Sequence, residues 1–402
     1  MRGIAKVVVA LAVLSVTCMP VHEAAAQSAA ITIGFITDMS GPYSDIDGPG
    51  GAEAIRMAVA DFGGSVGGKR IELLVFDHQN KTDLAATKSR EWIDQNGVNV
   101  LFGGGASAAN LAMARVAAER KTPFIVNAAG TTRLTNEDCT PYTIHYAYDT
   151  TALARVAGEA TVKDGGKTWF ILALDTAFGA SMTKDATKVI TENGGRVVGI
   201  ARHPAATSDF SSYIMKAQSS GAEILGLADA GADTVNAIKS ANEFGVTKAM
   251  RMVGMLMTVS DIKSLGLSLT QNMYLTDSWY WDMNAESRAW SKRFFEKMRK
   301  MPSGVQAAIY SSTLQYLSAV KATGSTDGTV VVKQMKSSGI HDMFTKDGYI
   351  RPDGRMVHSM YLMQVKEPRE SRYPWDFFKV IKEVPGERAF TSKSESVCSL
   401  WK

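Results

Sequence analysis

The stretch Val98–Ala114, "VNVLFGGGASAANLAMA", runs from an apolar β-branched segment into three glycines and then a helix of small side chains. Gly103 to Ala108 satisfy G-x-G-x-x-A, the letters of a dinucleotide-binding turn. That turn belongs on the first strand of its unit, with an acidic residue about 20 positions on to hold a ribose. Here the turn follows the third apolar run, and the downstream segment "PFIVNAAGTT" (residues 123–132) contains no carboxylate. A P-loop fails as well, because no lysine follows the glycines. What remains is physical: accessible amides, a serine where a helix begins, and the positive end of its dipole, a combination that suits a single carboxylate. The plainer alternative is that Ser107 only caps its helix and the glycines only permit close packing.

Working outward, short apolar runs alternate with helical segments. "ITIGFIT" (31–37) reads as a strand, and Ile55, Ala58, Val59 and Phe62 fall on one face of a helix over 51–62. Strands at 70–76, 98–102 and 123–126 alternate with helices near 83–95 and 107–120. The pattern restarts after "YTIHYAYDTT", with strands at 168–174, 196–201, 223–228 and 251–253 between helices, then long helical segments at 286–300 and 305–322. Such alternation implies parallel sheets covered on both faces. The predicted fold class is α/β, with two Rossmann-like lobes, a hinge and a ligand cleft between the lobes' carboxyl edges. The expected division is 27–148 with 279–341 for one lobe, and 149–278 with 342–402 for the other.

The first 26 residues read as a signal peptide: Arg2 and Lys6, an apolar run from Val7 to Val16, and Ala24-Ala25-Ala26 before the cut. Cys18 lacks the small residue and leucine that lipid attachment would require ahead of it. The exported chain is expected in the periplasm. The net charge over 402 residues is +4 and its charges are dispersed, which gives no footprint for nucleic acid. In an oxidising compartment the two remaining cysteines, Cys139 and Cys398, are expected to form a disulfide; two free buried thiols are the alternative. The histidines lack metal-ligand spacing and no G-x-S-x-G elbow occurs, so no catalytic residue, metal or cofactor is predicted.

Two further apolar strands end in small or polar residues as the glycine turn does. "FIVNAAGTT" places Ala128, Gly130 and Thr131 at one sheet edge, and "MSGPYSD" (39–45) places Tyr43 there. Three such strand ends in one lobe leave room for a small ligand. Trp279-Tyr280-Trp281 has two readings: buried core, or a stacking surface at the cleft mouth beside Tyr148 and Phe178.

"ITIGFITDMSGPYSD", "ELLVFDHQNKTDLAATKSREWI", "VNVLFGGGASAANLAMARVAAERKTPFIVNAAGTT" and "AFGASMTKDATKVITENGGRVVG" together resemble the leucine/isoleucine/valine-binding protein family. These are the periplasmic solute-binding proteins of branched-chain-amino-acid-type ABC importers. The resemblance implies three interlobe crossings and closure on a ligand by hinge bending. It implies that Ser107 binds a ligand carboxylate with help from Ala128 and Gly130, and that Phe178 covers the ligand. The family usually holds a ligand ammonium with a carboxylate on a second-lobe loop. At that place this chain has "GMLMT" (254–258), leaving Asp229 as the nearby candidate. An unpaired buried ammonium would cost several kcal/mol, and Met255 and Met257 with Trp279 or Trp281 suggest an apolar, adaptable wall instead. Aromatic acids are ligands of relatives of this family. The expected ligand is therefore a small carboxylate with an apolar or aromatic body, or a hydrophobic amino acid. The expected partners are ABC permease subunits, with the chain itself a monomer. A sensory module of the same fold and an exported enzyme are the alternatives.

Overall fold

The computed structural model describes residues 30–402; the signal-peptide reading and Cys18 lie outside them. In the first lobe six strands form one sheet: β1 (Ile31–Thr37), β2 (Ser65–Val66), β3 (Lys69–Asp77), β4 (Val98–Gly103), β5 (Phe124–Val126) and β6 (Thr143–His145). Their order is β2-β3-β1-β4-β5-β6, all parallel except β2. β1 is buried along its whole length, as a run covered by helices on both faces must be.

The second sheet contains β7 (Thr168–Leu174), β8 (Arg196–His203), β9 (Ile224–Ala228), β10 (Arg251–Gly254) and β11 (Tyr274–Asp277). After a short hairpin of β12 (Tyr349–Ile350) and β13 (Met356–Val357), β14 (Met360–Val365) and β15 (Phe378–Val384) complete it antiparallel, in the order β15-β14-β11-β10-β9-β7-β8. Both parallel cores share one winding, in which the first strand of each lobe sits second from the end of the parallel set. The switch points lie between β1 and β4 and between β7 and β9, and ligands bind outside the carboxyl ends of strands at such points.

The helices Gly48–Asp61 and Gly304–Thr323 pack against each other on the first lobe, so the chain returns there after β11. The expected boundary after residue 341 comes earlier than the strand pairing indicates. Ile340 bridges Gly348, and Arg355 bridges His145 beside β6, so the hairpin stays with the first lobe and the last crossing follows Val357. β15 has no counterpart among the strands expected from the sequence. Its four consecutive exposed residues, Val380 to Glu383, carry no buried alternation because β15 is a sheet edge. Cys139 and Cys398 are joined in a disulfide that ties the C-terminal segment to the first lobe.

Candidate functional site

A cavity of about 280 Å³ lies between the lobes, and its wall comes from the carboxyl ends of eight strands. The first lobe supplies Tyr43 and Ile46 after β1, Asn80 and Thr82 after β3, Gly105 to Ala108 after β4, and Ala128 and Gly130 after β5. The second supplies Thr176 and Phe178 after β7, Ala205 after β8, Ala230 after β9 and Leu256 after β10. That volume is near the lower end for small-molecule sites, which calls for a small ligand.

The glycine turn achieves its shape through close approach. A Cβ on Gly104 would lie 1.8 Å from Thr37 Oγ1 and 2.1 Å from Asp47 Oδ2. The Gly104 amide is spent on Ile36 O at 3.2 Å, so it is not offered to a ligand as its sequence suggested. Asn110 braces the turn by donating its Nδ2 to Gly104 O (2.6 Å) and Ala106 O (2.9 Å). Beneath it, burial pushes the Asp47 carboxyl up to about 7, opposed by the hydrogen bond it accepts from Thr37 Oγ1.

The helix Ser107–Glu119 begins at this turn with Ala106, not Ser107, as its N-cap, and no side chain caps it. Ser107 is therefore not the cap. Its hydroxyl is buried, lines the cavity and has no hydrogen-bond partner among the described residues. The first-turn amides of such a helix have no intrahelical acceptor. A buried hydroxyl and several amides at the positive end of a helix dipole form a donor set for an anion.

Opposite Ser107, Ala128 and Gly130 are held in place by the crossing segment. Tyr148 donates its hydroxyl to Ala128 O (2.7 Å), and Thr150 N donates to Gly130 O (2.7 Å). Tyr148 is thus a support behind the wall. Phe178 reaches across from the helix Ala177–Glu192, which Thr176 caps by accepting from Gly179 N. Its ring lies so close to Gly130 that a Cβ there would be 2.8 Å from it. Burial raises the Tyr43 phenol well above its ordinary range, reinforced by Asp233, Asp229 and Asp38, so it remains a neutral hydroxyl.

Besides Tyr148, four of the expected residues stand off the wall. Thr131 turns its hydroxyl to Ser181 Oγ (2.7 Å), joining the two lobes. Asp229 is fully buried and bound to His203 Nε2 at 2.7 Å. Burial pushes this acid up to about 6 against the pull of His203, whose own value is raised by Asp229 although burial opposes it. Met255 packs under the sheet, 2.9 Å from where a Gly226 Cβ would be, so the wall position falls to the next residue, Leu256. Trp281 is core: its Nε1 donates to Trp375 O (3.1 Å) and its ring packs edge-on to Tyr280 and Tyr373. Asn80, Thr82, Thr176 and Ala205 were not singled out in the sequence. Their common signal is position one to five residues beyond a strand end.

Among the described residues no charged side chain lines the cavity. The lobes meet around it. Ala232 N donates to Pro42 O (3.2 Å), and Lys184 pairs with Glu137 (3.1 Å). Gly231, at φ +58°, allows the first of these contacts, since its Cβ would be 2.2 Å from Pro42 O. Among the described residues no cluster of three or more His, Cys, Asp or Glu is arranged to hold a metal ion.

A family model described as "Periplasmic binding protein" matches residues 30–371. A crystal structure of a periplasmic binding protein from Burkholderia mallei is 58% identical, covering 93% of this chain and 99% of that one, with a TM-score of 0.92. A branched chain amino acid ABC transporter periplasmic ligand-binding protein from Burkholderia xenovorans is 37% identical over 92% of this chain and all of that one, with a TM-score of 0.83. A Leu/Ile/Val-binding protein homolog of Brucella melitensis is 26% identical over 63% of this chain. The match spans 66% of that relative's length, just under two thirds. The fold, the interlobe cavity and these matches agree: the chain belongs to the periplasmic binding protein family.

Proposed function

We propose that this protein captures a small monocarboxylate with an apolar or aromatic body between its lobes and delivers it to the permease of an ABC importer. The observation that carries this reading is the Ser107 hydroxyl, buried at an uncapped helix start and, among the described residues, unpartnered in a cavity without charged side chains. The carboxylate would accept from Ser107 and the first-turn amides, while Phe178, Leu256 and Ile46 cover the body of the ligand. A zwitterion is disfavoured because its ammonium would meet Leu256, Ala230 and neutral hydroxyls rather than a carboxylate. Delivery to a permease rests on the family, whose members hand ligands to membrane partners after lobe closure.

A thermal-shift screen tests the ligand class. Benzoate is the first probe, because a solute-binding protein from R. palustris with this fold, 20% identical, was crystallised with it. A ligand present at 100 times its dissociation constant adds about 2.7 kcal/mol of stability. Shifts with benzoate-like acids and none with leucine or valine are expected; the reverse result refutes the monocarboxylate reading.

A further inference from the structure

The C-terminal segment leaves the second sheet at Val384 and runs over the crossing segments before it ends on the first lobe. It is fastened at three places. At the hinge itself, Phe390 is fully buried, with the Arg355 guanidinium 4.5 Å over its ring and His358 5.5 Å away. On the second lobe, Glu395 accepts from Arg155 Nη2 (2.5 and 2.7 Å) and Lys188 Nζ (2.7 Å). On the first lobe, Cys398 is bonded to Cys139, Val397 N donates to Asn136 Oδ1 (2.7 Å), and Trp401 stacks under the Arg351 guanidinium at 3.8 Å.

Lys188 belongs to the helix Ala177–Glu192, which also carries Phe178 over the cavity. Successive turns of that helix grip the same first-lobe segment: Ser181 bonds Thr131, Asp185 accepts from Thr132 (3.2 Å), and Lys184 pairs with Glu137. Cys139 follows directly in that segment. The helix that covers the ligand is therefore linked to the first lobe by direct side-chain contacts and, through the Glu395–Lys188 ion pair, by a disulfide-anchored strap.

We propose that residues 390–401 form a covalent strap that limits how far the lobes can part on this flank, so that the cleft opens on the opposite flank, where Pro42 meets Ala232. Cys398 lies three residue steps beyond Glu395, a reach of about 10 Å at full extension. While the Glu395 ion pairs hold, the Glu395 backbone cannot move further than that from the strap's anchor, and Lys188 stays within ion-pair reach of its carboxylate. If they release, the next fixed point is Phe390, and the reach of eight residues grows to about 27 Å. Glu395 sets the short limit and the disulfide sets the long one. The inference rests on lobe opening in this family and is independent of the ligand's identity.

Small-angle scattering on the ligand-free full chain tests this. Wild type, Glu395→Ala and the double variant Cys139→Ser/Cys398→Ser are expected to show radii of gyration that increase in that order, by roughly 1 Å across the series. If the double variant does not fold, wild type reduced after folding takes its place. Radii of gyration that coincide overturn the proposal even if the variants melt earlier, because a tail that only stabilises the fold would lower the melting temperature without widening the open state.

Discussion

Replacing Ser107 with alanine should have opposite effects on the free and the liganded protein. In the free protein the hydroxyl is buried without a partner, and an unsatisfied buried polar group costs about 1–3 kcal/mol. Ser107→Ala removes that cost and leaves a void of only one oxygen, so the free protein should melt at the same temperature or slightly higher. In the complex the hydroxyl donates to a carboxylate, and a hydrogen bond to a charged group contributes about 1.5–3 kcal/mol. Losing it should raise the dissociation constant roughly 10- to 150-fold, at 1.4 kcal/mol per factor of ten. Calorimetric titration with benzoate reads the second effect, and a melt without ligand reads the first. An unchanged affinity refutes the carboxylate assignment. A free protein that melts several degrees lower instead shows that the hydroxyl serves the fold.

Leu256 occupies the wall where a carboxylate would meet an ammonium, so Leu256→Glu should shift preference toward leucine and away from benzoate; a thermal-shift profile unchanged from wild type counts against that geometry. Gly231→Ala puts a Cβ 2.2 Å from Pro42 O at a left-handed φ. It should weaken ligand binding at least tenfold by obstructing closure, about 1.4 kcal/mol, while circular dichroism stays native; wild-type affinity would show that the two lobes need not touch there. Burial pushes the Asp277 carboxyl up to about 7 from 3.8. The folded state then keeps a proton that the unfolded chain releases between those values, so this group lowers stability as pH rises through that window. Asp277→Asn should therefore gain melting temperature over wild type progressively from pH 4 to pH 8, and a pH-independent difference contradicts the assignment.

Much of this protein was legible in its sequence because its strands are continuous apolar runs and its helices have clear periodicity. Val98–Gly103 and Thr168–Leu174 are buried runs that could hardly be anything else. The strand-end pattern found Ser107, Ala128, Gly130 and Tyr43, and the family resemblance added Phe178; all five line the cavity. It failed where one residue's offset decides direction: Leu256 faces the cavity and Met255 the core, and nothing local distinguishes two apolar neighbours. It failed again at Trp281, because an aromatic beyond a strand end looks the same whether it covers a cleft or fills the back of a sheet. Asn80, Thr82, Thr176 and Ala205 carry no chemical signal of their own and become site residues only when two sheets face each other.

The sequence by itself determined the α/β alternation and the serine at the helix start, and made a Cys139–Cys398 bridge the expectation, since these follow from periodicity, residue type and compartment. Tertiary structure alone decided which atoms are left unpartnered. The Gly104 amide is used up by Ile36, Asp229 is bound by His203, and Thr131 is turned to Ser181, while the Ser107 hydroxyl remains unpaired. Hydrogen-bond capacity belongs to a residue type, but its availability depends on every group brought within about 3 Å by folding.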